Sequence, residues 1–457
     1  MSPNGSHVTR GSRRSGGFPD NRSGGPDLAA TQANAGRKLP AERFDLTDFS
    51  MLGLAPELLK ATAAKGFDTP TPIQAQAIPH ILEGRDLMGL AQTGTGKTLA
   101  FGLPLIQRLR QDGGRAAPGT ARALILAPTR ELVNQIAETL TGFTVGTPTR
   151  VTCVVGGASL NVQTRALSRG TDILVATPGR LLDLIERRAL SLGKTEYLVL
   201  DEADQMLDMG FIHALRRIAK LLAKPRQTLC FSATMNTQMN EIAQTYLYNP
   251  LRVQVAPPGK AVDKITQEVH FVDKGDKPSK LKALLAGHSG EMALVFGRTK
   301  HGSERLKKQL EAAGFAAGSI HGNKSQNQRE RTLKAFREGA IDVLVATDVA
   351  ARGIDIPGVA HVYNFDLPNV PENYIHRIGR TARAGRDGAA IAFCAPEEIG
   401  ELRAIEKTMG GSIPVASGEP PFEKKAQPRK PGNAPSGNGG RRRRSRPRRA
   451  KGAKLAA

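Results

Sequence analysis

Two short motifs in this chain could together hydrolyse a nucleoside triphosphate. Residues 91–98 have the sequence Ala-Gln-Thr-Gly-Thr-Gly-Lys-Thr, and residues 201–204 have the sequence Asp-Glu-Ala-Asp after the apolar run 197–200. A glycine-rich loop that ends in Lys-Thr can cradle phosphates, and an acidic pair at a strand end can hold Mg²⁺ and activate a water. Either motif alone is a weak signal, but the two in this order favour an ATP-hydrolysing site.

Each residue type in the first motif suits phosphate binding. Gly94 and Gly96 allow turns in which successive backbone N–H groups point at the phosphates. Lys97 supplies positive charge for the β- and γ-phosphates, and the Thr98 hydroxyl can ligate Mg²⁺ at the helix start. Ala91 stands where the general pattern has Gly, and it is small enough for a tight turn. The predicted nucleotide-binding loop comprises Ala91, Gln92, Thr93, Gly94, Thr95, Gly96, Lys97 and Thr98.

The acidic motif supplies the remaining chemistry. Mg²⁺ prefers oxygen ligands and keeps several waters, which suits Asp201 as a direct or water-mediated ligand. Glu202 is then free to orient and deprotonate the attacking water. Ser232 and Thr234 follow another apolar run and could hydrogen-bond the acidic motif, although a simple Ser/Thr turn at a strand end explains them equally well. ATP and Mg²⁺ are therefore the predicted substrate and cofactor.

Composition indicates a folded middle between two basic tails. The chain has 457 residues, enough for two or three domains, and a formal net charge of +23. Residues 420–457 contain thirteen Lys/Arg and one acidic residue, and residues 1–41 contain six Lys/Arg and two acidic residues. The N-terminus lacks the apolar core of a signal peptide, and no apolar run approaches ~18 residues, so we expect a cytoplasmic protein without a membrane contact. Cys153, Cys230 and Cys394 lack CxxC spacing and are expected to be reduced core residues.

The elements that must position these motifs are short β-rich runs that alternate with helix-length amphipathic stretches. This alternation predicts an α/β fold with parallel sheets and covering helices. Residues 172–177 and 342–347 have nearly the same sequence, and each is followed by a loop that contains Gly and Arg, which favours a duplicated domain. The predicted organisation is a disordered basic tail (1–41), a first domain (42–250), a linker (251–263), a second domain (264–411) and a disordered Arg-rich tail (412–457).

The loops after these strands resemble the motifs of the DEAD-box RNA helicases, and more narrowly those of the short bacterial RhlE-type members. The resemblance covers residues from about 44 to 410 and implies two tandem RecA-like domains that close on ATP and RNA. The motifs that carry it are Phe49, 66–74, 91–98, 128–132, 156–157, 177–180, 201–204, 232–234, Gln326 with Arg329, 346–355 and 376–386.

The resemblance assigns further residues to the nucleotide. The Gln74 amide can pair with adenine N6 and N7, and in the family it selects ATP. Phe49 is expected to stack on the base and Phe67 to lie beside it, while Gly353 and Asp355 are expected near the ribose. Arg380 and Arg383 are implied as arginine fingers from the second domain, although basic residues at this spacing are otherwise a solvated helix face. Asp204, Ser232, Thr234 and His376 are implied to couple hydrolysis to strand separation.

The implied RNA-facing residues are polar and contact the backbone rather than the bases. The chain has no Trp and only 4% aromatic residues, so it lacks the stacking platforms of sequence-specific RNA readers. Ala382 departs from the family, which usually has Gly there. The predicted RNA contacts are Pro128, Thr129, Arg130, Gly157, Thr177, Gly179, Arg180, Arg298, Thr299, Arg329 and Thr347.

The sequence therefore predicts an RNA-stimulated ATPase that separates short RNA duplexes or remodels RNA–protein complexes. An ATP-gated RNA clamp or assembly scaffold would need the same motifs and stays open as an alternative, whereas the resemblance disfavours a DNA helicase. Single-stranded RNA and short RNA duplexes are the expected partners, largely independent of sequence. Ribosomal precursors and RNA-degradation complexes are candidate larger assemblies.

Overall fold

The computed structural model describes residues 48–92, 94–255, 265–351, 356, 358–382 and 387–420. The predicted N-terminal tail, residues 421–457 of the predicted Arg-rich tail, most of the predicted linker, and Thr93, Gly353, Asp355 and Arg383 lie outside these residues. The described chain forms two α/β units that follow one another in sequence.

The first unit begins with a 3₁₀-helix at Phe49–Leu52 and alternates strands with helices. In chain order its elements are α1 (Pro56–Ala64), α2 (Pro72–Leu82), β1 (Leu87–Leu90), α3 (Lys97–Gln111), β2 (Ala121–Leu126), α4 (Arg130–Thr144), β3 (Val151–Val154), α5 (Leu160–Leu167), β4 (Thr171–Ala176), α6 (Pro178–Glu186), β5 (Tyr197–Leu200), α7 (Ala203–Asp208), α8 (Ile212–Leu221), β6 (Gln227–Ser232), α9 (Thr237–Tyr246) and β7 (Leu251–Gln254).

The second unit repeats this alternation. Its elements are β8 (Ile265–Phe271), α10 (Lys277–Gly287), β9 (Met292–Phe296), α11 (Lys300–Glu311), β10 (Ala317–Ile320), α12 (Gln326–Arg337), β11 (Val343–Ala346), α13 (Asp348–Ala351), β12 (Val359–Asn364), α14 (Pro371–Ile378), β13 (Gly388–Cys394), a 3₁₀-helix (Pro396–Glu398), α15 (Ile399–Met409) and β14 (Val415–Ser417).

Each unit is built on a seven-stranded parallel sheet, and the two sheets have the same strand order. The orders are β3-β4-β2-β5-β6-β1-β7 and β10-β11-β9-β12-β13-β8-β14. Counted from the first strand of each sheet, both follow the pattern 3-4-2-5-6-1-7. The similar segments 172–177 and 342–347 fall on β4 and β11, each of which is the fourth strand of its sheet in chain order. The structure thus confirms the predicted α/β class with two parallel sheets, and the duplication is visible in the topology.

The central strands are hydrophobic on both faces because helices cover both sides of each sheet. In β2 and β4 every residue is buried, and the two clusters of apolar side chains in the first unit lie on opposite faces of its sheet. Three further clusters fill the second unit. Cys230 and Cys394 are buried, and burial raises the pKa of the Cys394 thiol to about 12, so this thiol stays protonated near neutral pH.

Two edge strands lie beyond the domain limits expected from sequence. β7 pairs with β1 although residues 251–254 were assigned to the linker, and β14 pairs with β8 although residues 415–417 were assigned to the tail. Both strands are short, and most of their residues are exposed or half-buried. An edge strand needs only one hydrogen-bonded neighbour and little apolar surface, so its sequence pattern is weak.

Candidate functional site

The candidate site lies at the carboxyl edge of the first sheet, where loops after β1, β2, β4, β5 and β6 meet. Parallel strands end at the same edge, so residues far apart in sequence converge there. The phosphate loop follows β1, the acidic motif follows β5, and the loops before α4 and α6 carry predicted RNA contacts.

The phosphate loop has the backbone that the sequence required. Gly94 and Gly96 have φ angles of 85° and 89°, in the left-handed region that favours glycine. A Cβ atom at Gly96 would lie 2.5 Å from Gln74 Nε2, so a larger residue would collide with that amide. Lys97 is buried, donates a 3.2 Å hydrogen bond to the Ala91 carbonyl and lies 3.8 Å from Asp201 Oδ1. Thr95 closes the turn by donating to the Gln92 carbonyl at 2.8 Å.

Gln74 is held against this loop. Its Oε1 accepts a 2.9 Å hydrogen bond from the Thr71 backbone, and its Nε2 donates a 3.0 Å hydrogen bond to the Gly96 carbonyl. These bonds fix which end of the amide is the donor, as a readout of adenine requires. Each end keeps further bonding capacity, because an amide oxygen has two lone pairs and an amide nitrogen has two hydrogens.

The two aromatic residues assigned to the base lie in different surroundings. Phe49 is only 3% exposed and belongs to the core of the first unit, whereas Phe67 is 40% exposed and stacks on Phe143 with ring centroids 6.3 Å apart. Packing accounts for both rings in this structure, and their contact with a base stays a prediction.

The acidic motif brings buried carboxylates to the strand end. Asp201 Oδ1 accepts a 3.0 Å hydrogen bond from the Glu202 backbone. Burial raises the pKa of Asp201 to about 6, with Lys97 opposing that shift and Glu202 adding to it. Glu202 has a φ of 51°, a left-handed conformation that costs energy in a residue with a side chain. A carboxylate this poorly solvated favours a cation beside it.

The last residue of the acidic motif binds the loop after β6. Asp204 Oδ2 accepts from the Ala233 backbone at 3.0 Å, from the Thr234 backbone at 2.9 Å and from the Thr234 hydroxyl at 3.1 Å. The Ser232 hydroxyl donates to the Thr234 carbonyl at 2.7 Å instead. Of the two hydroxyls expected to reach the acidic motif, Thr234 therefore does so directly, and Ser232 braces the turn.

The arginines of α14 and the following turn have different surroundings. Arg377 is buried and forms a bidentate ion pair with Asp348, hydrogen-bonds Asn364 Oδ1 at 3.0 Å and lies over the Phe296 ring at 4.9 Å. Its bonds are thus made within the second unit. Arg380 is also buried, and its Nε donates to the His376 carbonyl at 3.2 Å. The roles of Arg380 and His376 toward the phosphate stay predictions.

Several predicted RNA contacts are also structural. The Thr129 and Thr299 hydroxyls cap α4 and α11, accepting from Leu132 at 3.3 Å and Gly302 at 3.0 Å. Arg298 donates to the Leu367 carbonyl at 3.0 Å and to Glu398 at 3.1 Å, which holds its guanidinium against the 3₁₀-helix that precedes α15. Thr177 precedes α6, and Thr347 precedes α13.

Three arginines gather where the two units meet. Arg130 lies beneath the turn at Gly156 and Gly157, and Arg180 donates to the Ala158 carbonyl at 3.0 Å. Burial lowers the pKa of Arg130, and the nearby charges of Arg329 and Arg180 lower it further, with Glu131 opposing them. Gly157 has a φ of 80°, and a Cβ there would lie 2.2 Å from Arg130 Nη1, so glycine is required.

The two units are joined at this cluster. Arg329 pairs with Glu131 at 3.0 Å, Gln326 Nε2 donates to the same carboxylate at 3.4 Å, and Arg130 donates to Gln326 Oε1 at 3.4 Å. Sequence reasoning missed Glu131, because its partner Gln326 lies 195 residues away. The signal was present in the Pro-Thr-Arg-Glu-Leu motif at 128–132, although the sequence could not show where that glutamate points.

No helix among the described residues is both long and apolar enough to cross a membrane.

Comparisons with known proteins agree with this geometry. The family model for DEAD/DEAH box helicases matches residues 71–242, and that for the helicase conserved C-terminal domain matches residues 276–385. The ATP-dependent RNA helicase CshA of Listeria monocytogenes is 47% identical over 363 residues, covering 79% of this chain and 69% of that protein. CshA of Bacillus subtilis is 46% identical over 360 residues, with 79% and 72% covered.

Solved structures give the same result. The structure of S. cerevisiae Dbp5 bound to RNA and ADP-BeF₃ is 34% identical in sequence and has a TM-score of 0.72. The match covers 81% of this chain and 95% of the Dbp5 chain.

Proposed function

The chain belongs to the DEAD-box family of ATP-dependent RNA helicases, with two tandem RecA-like domains, and we propose how its own residues bind ATP and RNA and link the two. It is an RNA-stimulated ATPase. In the proposed cycle ATP and RNA bind cooperatively, the domains close, and one RNA strand is bent out of duplex geometry. Hydrolysis and phosphate release then reopen the cleft.

The observation that carries this proposal is the network between the domains. Glu131 belongs to the loop and helix that carry predicted RNA contacts, and Arg329 belongs to the second domain. Arg130 contacts Gln326 in the same place, and the charges of Glu131, Arg329 and Arg180 all act on Arg130, so cations of both domains gather around it. Such a cluster suits an RNA phosphate and forms only when the domains are together. It therefore supports a link between domain closure and binding of the RNA backbone.

In the ATP site, Gln74 reads adenine and Lys97 neutralises the β- and γ-phosphates. The hard oxygen donors of Thr98 and Asp201 fit Mg²⁺, and a cation would offset the cost of burying the Asp201 carboxylate. When bound there, Mg²⁺ would screen charge on the phosphates. Glu202 orients the attacking water and accepts its proton.

Residues of the second domain complete this site on closure. Arg380 and Arg383 stabilise charge on the transferring phosphoryl group, and Gly353 and Asp355 meet the ribose. Asp204 passes the change to the loop after β6 through Thr234, which supports a coupling role for that hydrogen bond. The His376 carbonyl accepts from Arg380 and so restrains that guanidinium, and His376 is assigned to coupling.

RNA is held through phosphates and riboses along the loops of both domains. The clamp alternative uses the same contacts but releases RNA without separating strands. The arginine cluster between the domains serves both mechanisms, and a measurement of strand separation distinguishes them.

The Arg-rich segment 441–449 lies outside the described residues, and we propose that it tethers RNA without selecting a sequence. A cationic segment binds phosphates by releasing counterions, with a slope of roughly 0.7 per neutralised phosphate on single strands. Deleting residues 420–457 should raise the RNA concentration needed for half-maximal ATPase and make RNA affinity less dependent on salt. The turnover rate at saturating RNA should change little. An unchanged salt slope would make the segment a solubilising or protein-binding tail.

Three finer assignments belong with this proposal. The protein works in the cytoplasm, its narrower subgroup is RhlE-like, and its RNA substrates include those of ribosomal precursors or RNA-degradation complexes. The resemblance of the motifs supports the subgroup, and the Arg-rich segment supports structured RNA as a substrate.

The proposal is tested first by nucleotide choice. RNA-stimulated phosphate release should be fast with ATP and close to background with GTP, because guanine O6 is an acceptor where adenine N6 is a donor. Equal turnover of both nucleotides would remove the adenine-reading role of Gln74. Arg380→Ala should abolish RNA-stimulated turnover, whereas full activity in that variant would contradict the finger assignment.

A further inference from the structure

A cavity lies at the opposite edge of the first domain from the proposed ATP and RNA sites. It has a volume of about 430 Å³. Its lining includes Pro118 before β2, Leu190 and Leu192 before β5, Ile185 in the last turn of α6 and Leu221 at the end of α8. We call it the amino-edge cleft. The strands of this sheet are up to six residues long, so about 20 Å separates the two edges.

The amino-edge cleft is apolar and open to solvent. Leu190 and Leu192 are buried in its wall, whereas Leu221 at its mouth is 40% exposed. The exposed leucine and the aliphatic wall of the cavity form one contiguous apolar surface that a partner could cover, whereas single exposed apolar residues are common and need no partner. The lining contains no aromatic ring on which a base could stack. Its chemistry therefore fits an apolar protein side chain better than a nucleotide.

The surface around the amino-edge cleft is positively charged. Arg188 lines the cleft. Lys220 directly precedes Leu221 in the chain, Lys194 lies two residues after Leu192, and both lysines are exposed. Nearby acidic residues are engaged, since Asp183 pairs with Arg187 at 2.7 Å and Glu186 pairs with Arg217 at 2.9 Å. In the part of the chain that the structure describes, Arg188, Lys194 and Lys220 form no ion pair. The rim is therefore complementary to acidic groups.

Arg188 adds an independent observation. Its φ of 58° places a side-chain-bearing residue in the left-handed region just after α6. Its backbone is held there by a 2.9 Å hydrogen bond to the Ile185 carbonyl. Helices commonly end with a left-handed residue, and glycine would fill this position without strain, so the Arg188 side chain is kept at the cleft at some cost in energy.

We propose that the amino-edge cleft docks an acidic segment of another protein, which inserts one large apolar side chain beside Leu221 and pairs its carboxylates with the cationic rim. The chain's own C-terminal tail is not the occupant, because residues 420–457 contain thirteen Lys/Arg and one acidic residue and would be repelled. Docking there leaves the carboxyl edge open, so the partner can remain bound while ATP and RNA turn over.

The absence of Trp from the chain makes a direct test possible. The probe is a short peptide of Asp and Glu residues around a single Trp, titrated with the full-length protein. Its Trp emission should shift to shorter wavelength on entering the cleft, and a matched peptide with Lys in place of the acids should show no shift. Leu221→Asp and Arg188→Glu should each weaken binding by about tenfold or more. The control Tyr248→Asp, at a residue 88% exposed elsewhere, should not.

The variants should keep the RNA-stimulated ATPase and thermal melting temperature of the parent, which shows that they fold. Equal binding by the parent and Leu221→Asp would overturn the proposal. So would displacement of the peptide by single-stranded RNA, which would make the surface an RNA site, or loss of binding on deletion of residues 420–457, which would move the peptide to the tail. Self-association that is lost in Leu221→Asp, without peptide binding, would assign the cleft to a second copy of the chain.

Discussion

Glu131 at the start of α4 and Arg329 in α12 form a 3.0 Å ion pair that joins the two domains. Both side chains are largely removed from water, at 7% and 14% exposed. Removing water from two charges costs energy that their attraction offsets, so removing one partner leaves a buried charge uncompensated and is strongly destabilising.

The first prediction concerns this pair. Glu131→Arg and Arg329→Glu should each lower RNA-stimulated ATPase by about tenfold or more, because each places like charges together in the closed state. The double variant Glu131→Arg/Arg329→Glu should recover a substantial part of the loss, as measured by steady-state phosphate release. If the double variant is as slow as the singles, Arg329 acts on RNA rather than on Glu131.

The second prediction concerns the loop after β6. Thr234→Val removes the hydroxyl that donates to Asp204 while keeping the side-chain volume. We expect RNA-stimulated ATPase to stay within a few-fold of the parent and RNA strand separation to fall by about tenfold, because the acidic motif loses a bond to the coupling loop. The control Ser232→Ala should have a smaller effect, since Ser232 does not contact Asp204. Equal loss of both activities in Thr234→Val would place the hydroxyl in hydrolysis itself.

The third prediction concerns Ala382, which stands where the family usually has Gly. Its φ of 56° is left-handed, which costs a residue with a Cβ about 1–2 kcal/mol. Glycine avoids this cost but loses about 0.4–1 kcal/mol through greater freedom in the unfolded chain. Ala382→Gly should therefore stabilise the protein by about 0.5–1 kcal/mol in thermal or denaturant unfolding. The control Ala335→Gly, within α12, should destabilise it by a similar amount. A destabilised Ala382→Gly variant would show that this strain is absent in solution.

The fourth prediction concerns pH. Burial raises the pKa of Asp201 to about 6 from an ordinary value of 3.8, so the folded protein binds this proton more tightly than the unfolded chain does. The stabilisation linked to that proton is fully present below about pH 4 and is lost as the pH rises through about 6. Asp201→Asn should thus raise the melting temperature of the unliganded protein at pH 7–8 by a few degrees, while abolishing ATP hydrolysis.

That gain in melting temperature should shrink as the pH is lowered toward 4, because Asp201 is then protonated in the folded protein and its buried carboxyl carries no charge. The matched control Asp68→Asn, at an exposed position of the same domain, should change the melting temperature little at any pH. A gain from Asp201→Asn that is independent of pH would contradict the role of the buried charge.

The structure shows why some features could be predicted from sequence and others could not. The apolar runs within 172–177 and at 197–200 are strands β4 and β5, because a central parallel strand must be apolar on both faces. β1 and β10 were missed because Leu87–Leu90 and Ala317–Ile320 are short and contain Gly or Ser. Residues that act through local backbone geometry, such as Gly94 and Gly96, were identifiable because only glycine suits their conformation.

Pairings over long sequence distances could not be predicted in the same way. Arg377 belongs to the same run of arginines, three residues apart, as Arg380. Only the structure shows that Arg377 is held by Asp348 and Asn364. The partner of Glu131 depends on how two separately folded domains meet. Such contacts have no periodicity along the chain, so a single sequence carries no signal for them.

The most direct test of the central claim is RNA strand separation by Glu202→Gln and the parent protein on one short labelled RNA duplex. The parent should separate the duplex with ATP and fail to do so without nucleotide. Glu202→Gln should bind ATP and RNA but hydrolyse ATP on the order of a hundredfold more slowly, because it lacks the general base. Its repeated strand separation should fall accordingly. Retention of the intact duplex by the parent during active ATP hydrolysis would contradict the helicase mechanism and favour the RNA clamp.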